Sequence, residues 1–187
     1  VIVVLSGSNR PKSRTLQLAR ALVPLLAAQG AEPHLINLEE LPGDLFVPTS
    51  YGNPPPSFKP YQDAISAARG VLTVVPEYNG SYPGALKYFI DLLKFPESLA
   101  GLAAGFVGIA SGEWGGLRAV EHLQQVFRYR RAHIYGHSVY VREVHRALDA
   151  SGRLQDPALE ARLADLVKGF DAFSRQVRGQ GPAPSPV

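Results

Sequence analysis

Between residues 8 and 15 stand three hydroxyls, Ser8, Ser13 and Thr15, interleaved with three cations, Arg10, Lys12 and Arg14. The segment follows an apolar run at residues 1–5 and precedes apolar residues at helical spacing, Leu16, Ala19, Leu22, Val23 and Leu26, so it forms the loop between a strand and a helix N-terminus. First-turn N–H groups of a helix have no intrahelical acceptor and carry the positive end of its dipole. Hydroxyls and guanidinium groups beside them complete an anion site. A dinucleotide fingerprint needs G-x-G-x-x-G and a P-loop needs G-K-[ST]; the segment SGSNRPKSRT has neither. Side-chain hydroxyls with a guanidinium suit a terminal monophosphate, a dianion that accepts several hydrogen bonds at once. Ser13 also fits an N-cap, with the cations simply solvated; the position and density of the loop favour the phosphate.

Two later loops have the same place in the chain. In PEYNGSYPGALKYFIDLL, Pro76 ends a strand, Asn79-Gly80 makes a turn and Pro83 suits the first turn of a helix. SGEWGGLRAVEHLQQVF is a second glycine-dense loop running into a helix. Each alone is ordinary strand-to-helix turn chemistry. Together at one sheet edge they form a crevice that offers backbone amides, small residues and aromatics to a flat ring. Arg118, at a helix start after a glycine pair, is the candidate for a pyridine nucleotide.

The elements that must position these loops are legible as apolar runs at residues 1–5, 71–75 and 105–110, with a weaker one at 35–38, all reading as strands buried on both faces. Helical spacing recurs at Leu86, Phe89, Ile90 and Leu93 and at Leu117, Val120, Leu123 and Phe127. The alternation implies βαβ units, a parallel sheet and helices on both faces, with ligands beyond the carboxyl ends of the strands. A fifth strand is expected at residues 134–141 and a closing helix at 157–177. Pro24 lies inside the first helical pattern and should bend that helix. Residues 46–60, with Pro48, Pro54, Pro55, Pro56 and Pro60, should form an irregular surface loop, either a stiff connector or a site wall presenting Tyr51 and Phe58.

The 187 residues, 45% apolar, suit one domain, expected at residues 1–178 with a flexible tail at 179–187. Zero cysteine removes disulfides, thiolate metal sites, iron–sulfur ligation and a nucleophilic thiol. A net charge of +3 is too small for a dedicated nucleic-acid binder, and no nucleic-acid partner is expected. No apolar run reaches the roughly 18 residues of a membrane span. The opening VIVVLSGS has no secretory signal. No membrane partner and a cytoplasmic location are therefore expected. Val1 in the place of Met leads us to expect residues before it, and a first strand that begins earlier.

In order and spacing, GSNRPKSRTLQLA, PEYNGSYPGALK and GGLRAVEHLQQVF resemble the NADPH-dependent FMN reductase family of flavodoxin-like proteins, which includes quinone, azo-dye and chromate reductases. The resemblance covers about residues 1–140, and PEYN with the proline-glycine helix start is its most specific part. It implies an α/β flavodoxin-like three-layer sandwich, a five-stranded parallel sheet of order 2-1-3-4-5, bound FMN, and NADPH or NADH as electron donor. Carried over, Ser8, Arg10, Ser13 and Thr15 bind the phosphate; Pro76, Glu77, Tyr78, Asn79 and Gly80 line the isoalloxazine; Ser111, Gly112 and Gly115 close its far side. Departures are Thr15 where the family often has Asn, Tyr88 for a common Asn and Leu92 for a frequent Trp. The first touches one phosphate contact; the others lie on a helix and bear on a subunit interface. A homodimer or homotetramer is implied. The helix at 84–94, with Tyr88, Phe89 and Leu92, is its candidate surface, although Phe89 also fits a core position.

The implied activity is reduction of free flavin, quinones or azo compounds, small-molecule substrates, by hydride transfer through bound FMN in ping-pong turnover. The cofactor carries that chemistry, so no catalytic residue is assigned. Glu77 at a loop edge reads as solvated or turn-positioning rather than as an acid or base. Donors at Asn79, Gly80 and residues 111–116 would meet the negative charge that reduction places on the ring. The alternatives are a flavodoxin-type electron carrier and a flavin-binding interaction protein without turnover. A carrier that docks on basic partners should be acidic, which this chain is not. His34, His122, His133, His137 and His145 include one i, i+4 pair without a completing carboxylate, and no metal is expected. Arg128, Arg130 and Arg131 read as cations at a helix C-terminus rather than as a nucleic-acid or 2′-phosphate patch.

Overall fold

The computed structural model describes residues 1–178; the tail expected at 179–187 lies outside the described residues. The strands are β1 (Ile2–Ser6), β2 (Pro33–Asn37), β3 (Gly70–Pro76), β4 (Ala103–Ile109), β5 (His133–Ile134) and β6 (Val139–Val141). The helices are α1 (Arg14–Ala28), α2 (Lys59–Ala67), α3 (Gly84–Leu92), α4 (Leu117–Tyr129), α5 (Val144–Ala147) and α6 (Pro157–Arg178). All strand pairs are parallel and the order is β2-β1-β3-β4-β5, the flavodoxin-like order.

Period-two alternation divides each buried strand between two cores. Val3, Leu5, Val71, Val75, Ala104 and Phe106 face the layer built by α2, α3 and α4, including Ile65, Phe89 and Phe127. Ile2, Val4, Leu72, Val74, Ala103 and Val107 face α1 and α6, including Leu22, Leu163 and Phe170. At Gly105 even a methyl would lie 2.8 Å from the Phe170 ring, so α6 packs directly on bare backbone. The carboxyl ends of β1, β3 and β4 thus emerge together, each followed by one of the three loops.

Several elements differ from expectation. The fifth strand is divided: His133–Ile134 pairs with the start of β4 and Val139–Val141 with its end. The Tyr135 N–H still bonds the Ala104 carbonyl of β4 at 2.8 Å, its ring packs against Phe170 and Phe173 with centroids 6.0 and 5.4 Å away, and the strand breaks after it. The segment expected to lack regular structure contains single 3-10 turns at Pro48–Ser50 and Pro56–Phe58 and the start of α2. Pro60 falls in the first turn of α2, where a missing N–H costs nothing. Phe58 is buried against Phe89 as part of the core and also lines a cavity with Pro54, Pro55 and Pro56. α1 continues through Pro24, as the expected bent helix would, with the proline on its exposed side.

The cations after α4 do serve a helix C-terminus, but one of them serves another helix. Arg130 is buried and donates to the carbonyls of Ile90, Leu93 and Lys94 at 3.0, 3.1 and 2.7 Å, capping α3. Burial lowers its pKa from the ordinary value, with nearby Asp91 and Glu97 working against that shift.

Candidate functional site

The first loop leaves β1 across the end of β3. The Gly7 N–H bonds the Val74 carbonyl at 2.9 Å, and a Cβ at Gly7 would stand 2.8 Å from that oxygen, so only glycine allows the crossing. Ser8 follows, fully buried; its Oγ lies 2.7 Å from the Tyr78 hydroxyl and accepts the Arg10 N–H at 3.2 Å. The Arg10 guanidinium sits 4.9 Å from the centroid of the Tyr78 ring. Ser8, Arg10 and Tyr78 therefore join the first loop to the loop after β3. Ser13 is the N-cap of α1, its Oγ accepting the Leu16 N–H at 3.1 Å. Its O–H remains available as a donor beside the first-turn N–H groups of Arg14 and Thr15, which have no intrahelical acceptor. The N-cap and anion readings of Ser13 are thus compatible.

After β3, the Glu77 N–H bonds the Ile109 carbonyl at 3.1 Å. Tyr78 and Ser81 exchange both backbone hydrogen bonds, at 2.7 and 3.1 Å, around Asn79 and Gly80 with φ of 53° and 77°. This is a two-residue hairpin of the type that asparagine-glycine favours. After β4, Gly115 and Gly116 both have positive φ, and a Cβ on Gly116 would lie 2.7 Å from the Ile109 nitrogen. That loop is folded flat against the strand end, with Ser111 and Gly112 exposed.

The loops enclose one cavity of about 260 Å³. Of the residues expected to bind a cofactor, Arg10, Ser13, Thr15, Pro76, Glu77, Tyr78 and Ser111 line it. Ser8 braces two of them from beneath, Arg118 reaches Glu77 from α4, and Asn79, Gly80, Gly112 and Gly115 shape the surrounding loops without lining it. Pro11, Arg14, Ile109, Ala110 and Val144 also line it and were not expected. Arg14 was visible in the cation cluster, and its guanidinium donates to the Asp149 carbonyl and to Gln17, tying α1 to the segment after α5. Val144 carries no periodic signal; its N–H bonds the Ala110 carbonyl at 3.1 Å, which brings α5 to the cavity.

Glu77 departs from the solvated reading. Its side chain is 16% exposed, Oε1 lies 3.5 Å from the Arg118 guanidinium, and Oε2 is buried with no hydrogen-bond partner. The site thus holds donors at the α1 end and an unpartnered acceptor at the β3 end. Among the described residues no group of three or more His, Cys, Asp or Glu is arranged to hold a metal. Nor is any helix among them long and apolar enough to cross a membrane.

The model of the NADPH-dependent FMN reductase family matches residues 1–146. An NAD(P)H-dependent FMN reductase of Pseudomonas aeruginosa is 30% identical over 185 residues, covering 95% of this chain and 97% of that protein. An NADPH:quinone oxidoreductase of Arabidopsis thaliana is 27% identical over 187 residues, covering 96% and 94% of the two chains. Among solved structures, the flavoenzyme NAD(P)H:(acceptor) oxidoreductase FerB of Paracoccus denitrificans superposes with a TM-score of 0.78 at 27% identity, covering 96% of this chain and 98% of its own. With the family model matching residues 1–146, most of its length, the chain belongs to the NADPH-dependent FMN reductase family.

Proposed function

We propose that the protein is an FMN-dependent NAD(P)H oxidoreductase acting on quinones, free flavin or azo compounds. One observation carries this reading: the hydroxyl and cation set at the α1 N-terminus and the asparagine-glycine hairpin meet around a single cavity at the carboxyl edge of the sheet. Bound FMN supplies the hydride chemistry, accepting from NADPH or NADH and giving to the acceptor. The chain's task is to bind and orient. Arg10, the Ser13 hydroxyl and the first-turn N–H groups of α1 supply positive charge and donors for a terminal phosphate. Ser8 holds Arg10 and Tyr78 in register through its two hydrogen bonds. The cofactor fits the unpaired groups present, because the isoalloxazine carries a ring N–H and Glu77 Oε2 is a buried acceptor that lacks a donor. A volume of about 260 Å³ is below the usual range for a whole cofactor, so the cavity suits the phosphate end, with the ring along its rim. Arg118 is positioned by Glu77 and is our candidate contact for the pyridine nucleotide.

We read residues 1–178 as one domain and place the protein in the cytoplasm, with small molecules as its partners. We also propose a homodimer. Tyr88 of α3 is stacked on by Phe46 and met edge-on by Tyr51, and Phe95, beyond the end of α3, stacks on Tyr129, all four outer rings more than half exposed. Phe89 and Leu92 are core residues, and of the three side chains expected at the interface only Tyr88 reaches the surface. Titrating the protein with FMN, then assaying NADPH and NADH oxidation with a quinone, tests the function. Saturable FMN binding with quinone-dependent oxidation is expected; a chain that binds no flavin refutes it.

A further inference from the structure

We propose that Trp114 is the stacking platform for the electron-accepting ring, giving the enzyme a preference for flat, electron-poor aromatic acceptors such as quinones. The inference rests on the oxidoreductase reading above and assigns it a specificity residue. Trp114 is the chain's single tryptophan and is 61% exposed. The other exposed aromatics each contact a neighbouring ring, Phe46 and Tyr51 that of Tyr88 and Phe95 that of Tyr129, whereas Trp114 has no ring partner among the described residues.

Its base is stiff. Trp114 lies in a turn closed by the Gly115 N–H on the Gly112 carbonyl at 3.4 Å, and that carbonyl also accepts the Glu143 N–H at 3.4 Å. The Leu117 N–H bonds the Trp114 carbonyl itself at 3.0 Å. Beneath the turn there is no room for a ring: a Cβ on Gly108 would lie 2.6 Å from the Gly115 carbonyl, and one on Gly115 would lie 2.9 Å from the Tyr140 backbone. The indole is therefore held outside by the packing of three glycines, Gly108, Gly115 and Gly116, against the strand end. In the chain it sits between Ser111, which lines the cavity, and Arg118, which pairs with the cavity residue Glu77. An electron-rich indole on a turn that follows the cavity residue Ser111 in the chain loses little freedom when a planar ring stacks on it. The nicotinamide of the donor shares the planar, electron-poor chemistry, and the test separates the two.

FMN-loaded wild type, Trp114→Ala and Trp114→Phe are compared with a naphthoquinone and with ferricyanide, which has no ring. We expect Trp114→Ala to raise the naphthoquinone KM about tenfold relative to the ferricyanide KM, with kcat held within about twofold, and Trp114→Phe to restore most of it. Emission from Trp114 in the flavin-free protein should also quench saturably with the naphthoquinone, beyond the quenching of free tryptophan amide. An unchanged KM ratio overturns the proposal. So does a rise confined to the NAD(P)H KM, which would give the ring to the donor. A wild type whose flavin is not reduced by either nucleotide sinks the functional reading instead.

Discussion

Ser8 is the buried joint of the site, since its hydroxyl meets the Tyr78 hydroxyl and the Arg10 N–H at once. Arg10 itself is exposed and free to meet an anion, so its contribution should depend on the phosphate of the ligand. Arg10→Ala is expected to weaken FMN binding about tenfold or more, the usual worth of a charged hydrogen bond, and to leave riboflavin binding unchanged. Parallel fluorescence titrations with the two flavins check this. Gly116 is a backbone requirement, with φ of 84° and 2.7 Å from a virtual Cβ to the Ile109 nitrogen. Gly116→Ala should cost about 2 kcal/mol or more, read as a lower urea midpoint. At this scale the sequence exposed the residue types well, because hydroxyls, cations and an asparagine-glycine pair carry local chemistry. It did not expose Val144 or the burial of Glu77, which depend on segments distant in the chain meeting at the sheet edge.

Among the elements, α6 is fastened to the sheet edge by Asp171, which pairs with Arg69 beside β3 and, at 2.9 Å, with Arg175. Burial pushes the Asp171 carboxyl up, and the hydrogen bonds and charges of Arg69 and Arg175 outweigh it, leaving the pKa below the ordinary 3.8. A depressed folded pKa gives stability that is complete above the unfolded value and is lost as pH falls through the folded one. Asp171→Asn should remove that acid-side slope. It should also cost about 3 kcal/mol near neutral pH by leaving the largely buried Arg69 unpaired. Urea unfolding at a series of pH values between about 7 and 3 measures both effects. Strand-helix alternation was legible because the central strands are apolar on both faces. α2 was hidden by Pro60, whose place in a first turn cannot be told from a helix-breaking one without the boundary. The split fifth strand was hidden because the break follows Tyr135, whose ring makes a tertiary contact with α6 that the sequence does not signal.

For the molecule as a whole, a chain without cysteine has no thiol to relay electrons, so its redox chemistry belongs to a bound cofactor. The net charge of +3 says little as a total; Arg10, Lys12 and Arg14 matter because they border the cavity or the loop beside it. The exposed rings flanking α3 predict self-association. Tyr129→Asp, at a residue 76% exposed, should shift the protein toward monomer in sedimentation equilibrium while leaving FMN binding intact. As a member of this family the chain should bind FMN and let it take a hydride from a pyridine nucleotide. Anaerobic mixing of the FMN-loaded protein with NADPH and, separately, with NADH tests it most directly, followed at the flavin band near about 450 nm. The band is expected to bleach with at least one donor and to return when a quinone is added; a band that persists with both donors would overturn the flavin-reductase reading.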